Sequence, residues 1–330
     1  MEPYESLLAD ARSFMKSRII LTAVELDWLT RMHEKPSTAE RLAEAMSLDL
    51  RATTRVLDCL VTFGLLEKSE GAYRPTEQGS YLSAHHPETV LPMARHLDHL
   101  WHNWSHLTET VRTGENVNRA SMAESGEERQ QAFIQAMHVV GRSLSLEIAE
   151  DYDAGGYRRL LDIGGASGTY TIAFLRGSPE LRGVLFDLPR VVPLARHRLE
   201  EEGLLDRVEL VEGDFHEDEL PPGCDLAFLS AIIHQNSPEE NLGLFEKIHK
   251  VLEPGGALLI RDHIMDESRT DPPAGALFAI NMLTGTRGGD VYTFREVEDG
   301  LKEAGFDDIR WIRKGGRMDS LVEGRKPAKS

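Results

Sequence analysis

The residue types with the clearest chemical potential lie together in LLDIGGASGTYTIAFL, residues 160–175. An apolar strand ends at Asp162, a turn holding Gly164, Gly165 and Gly168 follows, and a helix then opens. This order presents a nucleotide-like ligand at the carboxyl end of the first strand of a doubly wound α/β domain. The side chains narrow the ligand. A dinucleotide fingerprint wants glycine at its first, third and sixth places, which here hold Gly164, Ala166 and Thr169. A phosphate loop needs Gly-Lys-Ser/Thr, and this turn has none. An aspartate just before the turn repels a pyrophosphate, but it can hold a ligand's ammonium group through charge-assisted hydrogen bonds. S-adenosylmethionine carries an ammonium and a sulfonium and no phosphate, so the turn fits that donor.

The later strands carry matching residues at the ends where open α/β sheets bind ligands. VLFDLP places Asp187 where an acid can bridge both ribose hydroxyls. Gly213-Asp214-Phe215 offers a carboxylate to an adenine amine, beside an aromatic ring able to stack on the base. CDLAFLS leads to His234, and GALLIRDH carries Asp262. Each residue alone has a plain structural reading: a helix-start acid, a turn residue before Pro189, a core phenylalanine. Their order at consecutive strand ends makes a ligand cleft the better reading.

The elements that must hold these residues follow from patterning. A chain of 330 residues exceeds one ordinary core, and 41% apolar with 28% charged residues describes a soluble globular protein. Net charge is −18, which disfavours nucleic acid and anionic membrane as partners. Cys59 and Cys224 form no CxxC pair, and the first residues lack a basic and apolar leader, so a reducing cytoplasm is expected. No apolar run approaches a membrane span.

Three segments are expected. Residues 1–95 read as helices closed by a hairpin. Leu8, Met15, Ile19, Thr22, Leu26 and Leu29 recur at helical spacing in one long amphipathic helix. Ser37 and Glu40 have capping-box spacing for a helix over 39–46, another helix covers about 53–63, and LLEKSEGAYRPT alternates across Glu70-Gly71 as a hairpin. This is a winged-helix pattern. Its DNA-binding reading is weak, because residues 1–90 hold ten Lys/Arg against fourteen Asp/Glu. Burial of the long helix against a second copy, forming a homodimer, is the stronger expectation.

Residues 96–154 read as a helical connector in which His96, His99, His102 and His106 form a stripe opposite Leu97, Leu100, Trp104, Leu107 and Val111. The stripe is expected to face solvent, with no metal site. Residues 155–330 alternate strand and helix, giving a Rossmann-like, mostly parallel seven-stranded sheet. Glu253-Pro254-Gly255-Gly256 reads as a turn before the fifth strand, Thr293 and Glu296 as a capping box, and IRWIRKGG with DSLVEGR as a closing antiparallel pair.

LLDIGGASG, FDLPRVV, RVELVEGDF, the His234 segment, LEPGGALLI and LKEAGF together resemble the S-adenosylmethionine-dependent O-methyltransferases of the plant caffeate type and their bacterial natural-product relatives. The resemblance spans nearly the whole chain, including an N-terminal dimerisation domain. It implies that Gly164, Asp187, Asp214 and Phe215 contact the donor, that His234 is the catalytic base, and that Asp262 is one of two acids flanking it. Trp101 or Trp104, Phe133, Met137, His138, Asn281 and Met282 then lie over the donor as acceptor contacts. The apolar and aromatic mix suits a flat aromatic or polyketide-like acceptor.

The chain also departs from the family pattern. His-Asp-Trp becomes His234-Gln235-Asn236, and the lysine near the donor becomes Ser230. The second acid falls at Val291; Asp290 stands next to it, though adjacent residues seldom point the same way. The expected activity is O-methylation of a small molecule. Two alternatives stay open: a C-methyltransferase or a non-methylating hydroxylase or decarboxylase on the same donor site, and a winged-helix ligand-sensing regulator.

Overall fold

The computed structural model describes residues 3–117, 119 and 127–328, with the side chains of 127–133, 135, 136 and 140 left undescribed. The chain forms two compact units, residues 1–101 with 135–139 and residues 102–134 with 140–330.

In the first unit, α1 (Pro3–Glu25) and α2 (Trp28–Arg31) precede β1 (Ser37–Thr38), α3 (Ala39–Met46) and α4 (Leu50–Thr62). The hairpin β2 (Leu66–Ser69) and β3 (Ala72–Pro75) follows, then α5 (Glu77–Ser80). The single long helix expected from the apolar spacing is interrupted, because Asp27 adopts a left-handed conformation (φ 53°) between α1 and α2. The expected hairpin forms across Glu70 and Gly71, both at positive φ, and β1 pairs with β3 to make a three-stranded sheet. Thr38 rather than Ser37 caps α3, accepting from the Arg41 amide, while Asp49 caps α4 and starts it earlier than expected. Trp28, Leu29, Met32, Leu57, Leu60 and Tyr73 fill the core.

α6 (Leu91–Trp104) and α8 (Glu127–Asp151) have residues in both units, and α7 (Leu107–Thr113) lies in the second. The break at residues 105–106 prevents α6 and α7 from sharing one stripe. The expected faces are accordingly not kept: Leu97 and Val111 are exposed, whereas burial lowers the pKa of the His96 imidazole to about 4.

The second unit runs β4 (Arg159–Ile163), α9 (Thr169–Gly177), β5 (Arg182–Asp187), α10 (Val192–Glu201), β6 (Val208–Glu212), β7 (Cys224–Ser230) and α11 (Pro238–Val251). It continues through β8 (Leu252–Asp262), β9 (Ile264–Met265), α12 (Pro273–Gly285), β10 (Tyr292–Thr293), α13 (Phe294–Glu303), β11 (Asp307–Arg313) and β12 (Ser320–Arg325). Seven strands form one sheet in the order β11-β12-β8-β7-β4-β5-β6. β8-β7-β4-β5-β6 are parallel, and β12 is antiparallel to both neighbours.

The order reverses between β4 and β7, so the cleft must open there. Apolar clusters cover both faces. One holds Leu161, Ile163, Leu229 and Ile260 with Leu244 of α11 and Leu301 of α13; the other holds Leu160, Phe228 and Leu259 with Phe174 of α9 and Leu199 of α10. Glu253–Gly256, expected as a turn before its strand, is instead a bulged excursion within β8. The register passes from Cys224↔Leu252 to Leu226↔Ala257, with Gly255 at φ +81°. Thr293 and Glu296 do form a reciprocal capping box.

Candidate active site

The glycine turn begins where β4 ends. Gly164, Ala166 and Gly168 have φ values of 67°, 50° and 77°, a conformation that costs a non-glycine residue such as Ala166 strain. Two close approaches explain the adjacent glycines. A Cβ at Gly164 would lie 2.9 Å from Ile232 Cδ1, and one at Gly165 would lie 2.8 Å from Leu185 Cγ and 2.9 Å from Asp162 Cγ. Packing of Ile232, Leu185 and Asp162 against the turn therefore requires glycine at both positions.

Asp187, at the end of β5, holds the turn in place. Its Oδ2 accepts from the Ala166 amide at 2.8 Å and its Oδ1 from the Leu188 amide at 2.7 Å. Burial raises its pKa, and the two amides partly offset that rise. Each oxygen keeps a lone pair for a further donor such as a ribose hydroxyl. Beyond β6, the Asp214 carboxylate accepts from the His216 amide at 2.9 Å, and Phe215 is half-buried beside Gly164.

Asp162 is placed differently from the sequence reading. Its carboxylate is buried beneath the turn and accepts from the Thr171 hydroxyl at 2.5 Å. Burial raises its pKa to about 6. One oxygen of the carboxylate thereby supports the turn from below. Ser230 is also engaged, since its Oγ accepts from Arg261 Nε at 2.8 Å.

His234 lies on a short turn, Ile233–Gln235, beyond β7. Its Nδ1 is 2.9 and 3.0 Å from the two oxygens of Asp262, which is fully buried at the end of β8. Burial acts to raise the Asp262 pKa, but His234, Arg261 and the His263 amide outweigh it and hold the carboxyl below its ordinary range. An ionised carboxylate only accepts, so Nδ1 carries a proton, and in the neutral ring Nε2 presents the lone pair. Phe278 of α12 packs edge-on to the His234 ring at 4.9 Å and also lies 4.8 Å from the His263 ring.

Among the described residues, no second acid is hydrogen-bonded to His234. Val291 is buried, and the Asp290 carboxylate turns to Arg269 at 3.3 Å and to the Val291 amide. Glu296 completes the capping box and pairs with Arg269.

Of the expected acceptor residues, Trp104 and Asn281 meet directly, with the indole N–H donating to Asn281 Oδ1 at 3.0 Å. Met282 is buried one residue further along α12. Met137 and His138 are half-buried in a segment that belongs to the first unit. The Phe133 side chain lies outside the described residues. Phe278 and Arg261 were missed by the sequence reading. Only the position of Arg261 immediately before Asp262 at a strand end could have marked it.

A glycine turn at the switch point of a doubly wound sheet, next to a histidine backed by a carboxylate, is the layout of a group-transfer enzyme of the methyltransferase class. Residues 104–307 match the O-methyltransferase domain and residues 9–85 the O-methyltransferase dimerisation domain, so the chain belongs to the O-methyltransferase family and uses S-adenosylmethionine.

The chain is 33% identical over 322 residues to the tetracenomycin polyketide synthesis 8-O-methyl transferase TcmO of Streptomyces glaucescens, covering 96% of this chain and 94% of that protein. It is 30% identical to the mitomycin biosynthesis 6-O-methyltransferase of Streptomyces lavendulae, covering 94% and 91% respectively. Among solved structures, mitomycin 7-O-methyltransferase MmcR superposes with a TM-score of 0.85 at 29% identity, covering 98% of this chain and 97% of that one. Human N-acetylserotonin methyltransferase, solved in complex with S-adenosylmethionine, superposes with a TM-score of 0.82 at 26% identity, covering 99% of both chains.

Proposed function

We propose that the chain methylates a hydroxyl of a small aromatic or polyketide-like molecule, with His234 as the general base. The observation that carries this reading is the His234–Asp262 pair, which leaves Nε2 free to accept a proton. The donor supplies an electrophilic methyl group on a sulfonium. The protein's largest contribution is to hold the acceptor oxygen in line with that methyl, which can lower the barrier by about 7–11 kcal/mol.

A phenol with pKa near 10 is a poor nucleophile at neutral pH. Full proton transfer to an ordinary histidine is uphill by about 5 kcal/mol, so base assistance on the order of 10²–10⁴ is the expected scale. Asp262 holds the ring orientation and stabilises the imidazolium as it forms.

In this reading Gly164, Gly165 and Gly168 bare the backbone to the donor, Asp187 takes the ribose, Asp214 and Phe215 take the adenine, and Asp162 and Ser230 hold the cleft from below. Trp104, Asn281 and Met282 contact the acceptor, and the acceptors named for the bacterial relatives support an aromatic ring system. Residues 1–95 serve as a winged-helix dimerisation domain, 96–154 as connector and cap, and 155–330 as the donor domain, in a cytoplasmic homodimer. The dimer is supported by α1, whose Tyr4, Leu7, Leu8, Phe14 and Met15 form an exposed apolar stripe.

Incubation with methyl-labelled S-adenosylmethionine and a panel of phenols and polyketides tests the reading. A labelled methoxy product supports it. Label on carbon, a hydroxylated product or no transfer to any member contradicts it.

A further inference from the structure

Within the proposed donor site, on which this inference rests, we propose that Arg261 and the Tyr170 hydroxyl anchor the carboxylate of the donor's amino-acid tail. Arg261 is the one arginine or lysine among the described residues that is buried, at 7% exposure. Its Nε donates to Ser230 Oγ and its Nη1 to the Met318 carbonyl, each at 2.8 Å, and its guanidinium lies over the Tyr170 ring, 4.9 Å from the centroid. No acidic side chain among the described residues forms an ion pair with it. The Asp262 carboxylate acts on it only through space, and a buried guanidinium with no direct ion pair favours a ligand that brings an anion.

Two donors in this spot lack acceptors. Nε–H and one Nη2–H share an edge of the planar guanidinium, and Nε on that edge points at Ser230, so Nη2 faces the same way along the strand ends. Only Nε and Nη1 hold hydrogen bonds to described residues. The Tyr170 hydroxyl is likewise buried without a hydrogen-bond partner. A carboxylate accepts from both groups at once.

The direction of the donor brings its tail here. Adenine at β6 and ribose at Asp187 on β5 send the remaining atoms across β4 towards β7, because the strand order is β8-β7-β4-β5-β6. Ser230 pairs with Arg261 one step beyond the Ile163↔Leu229 pair, so Gly164, Ser230 and Arg261 share one row at the strand ends. Consecutive strand residues point to opposite faces. Asp262 therefore reaches His234 on one face while Arg261 lies against Tyr170 of α9 on the other. The general base and the donor's carboxylate are then served by adjacent residues of one strand, Asp262 and Arg261.

The test is calorimetric titration of the full chain with S-adenosylhomocysteine and with its decarboxylated analogue, which lacks only the carboxylate. The wild type is expected to bind S-adenosylhomocysteine at least roughly tenfold more tightly than the analogue. Arg261→Gln is expected to close that gap while leaving affinity for the analogue within about twofold, and Arg261→Lys to retain part of it. Tyr170→Phe, a milder change, narrows the gap in the same direction.

Equal wild-type affinities would overturn the proposal. So would a gap that survives Arg261→Gln, or equal losses for both nucleosides in that variant, which would mark a purely structural role. A wild type that binds neither nucleoside refutes the donor-site reading itself, and this proposal falls with it.

Discussion

The carboxylate of Asp187 accepts the amide of Ala166 at 2.8 Å, joining the end of β5 to the glycine turn that follows β4. Ala166 sits at φ 50°, where an alanine is strained, and this hydrogen bond holds it there. In the proposed reading the acid that shapes the turn also takes the ribose.

Replacing Asp187 with alanine removes both functions. Donor affinity, read by calorimetry, is expected to fall roughly ten- to hundredfold, the scale of lost hydrogen bonds to a charged group. Turnover at saturating donor should change only a few-fold. Unchanged affinity would remove Asp187 from the donor site.

Asp162 has a folded pKa of about 6, above its unfolded value. Between those two values the folded chain binds more protons than the unfolded chain, so stability falls as pH rises through the window. By pH 7 the accumulated cost is about 3 kcal/mol. Asp162→Asn keeps an oxygen for Thr171 and carries no charge. It is expected to be more stable than the wild type at pH 7.5 and to lose that advantage at pH 4, as read from urea unfolding. A variant that is less stable at both pH values contradicts this.

Asp290 pairs with Arg269, while His234 pairs with Asp262. Asp290→Ala should keep kcat within about twofold and cost less than about 1 kcal/mol of stability, as is usual for a half-exposed ion pair. A large loss of kcat would show that Asp290 supplies the second acid after all.

The exposed stripe on α1 predicts that Phe14→Glu shifts the protein from dimer to monomer in sedimentation velocity. A wild type that sediments as a monomer at micromolar concentration would contradict the homodimer.

The strand ends were legible because they carry their own signals. An apolar run closing on an acid is distinctive, and Asp187 and Asp262 close β5 and β8, whereas Asp214 and His234 lie in the loops that follow β6 and β7. What escaped was direction. Nothing in the residue type of Asp162 shows that its carboxylate turns under the glycines towards Thr171. Two adjacent hydroxyls, Ser37 and Thr38, could each cap α3, and backbone geometry chose the second. The histidine stripe failed because the helix breaks at residues 105–106, which periodicity averaged over. Arg261 reads as an ordinary strand charge until its neighbours are seen to bury it.

Single-turnover methyl transfer by His234→Ala, at saturating donor, tests the catalytic assignment most directly. The rate is expected to fall at least about a hundredfold, while affinity for S-adenosylhomocysteine stays within a few-fold of the wild type. A variant that transfers methyl at the wild-type rate would contradict the assignment of His234 as the base.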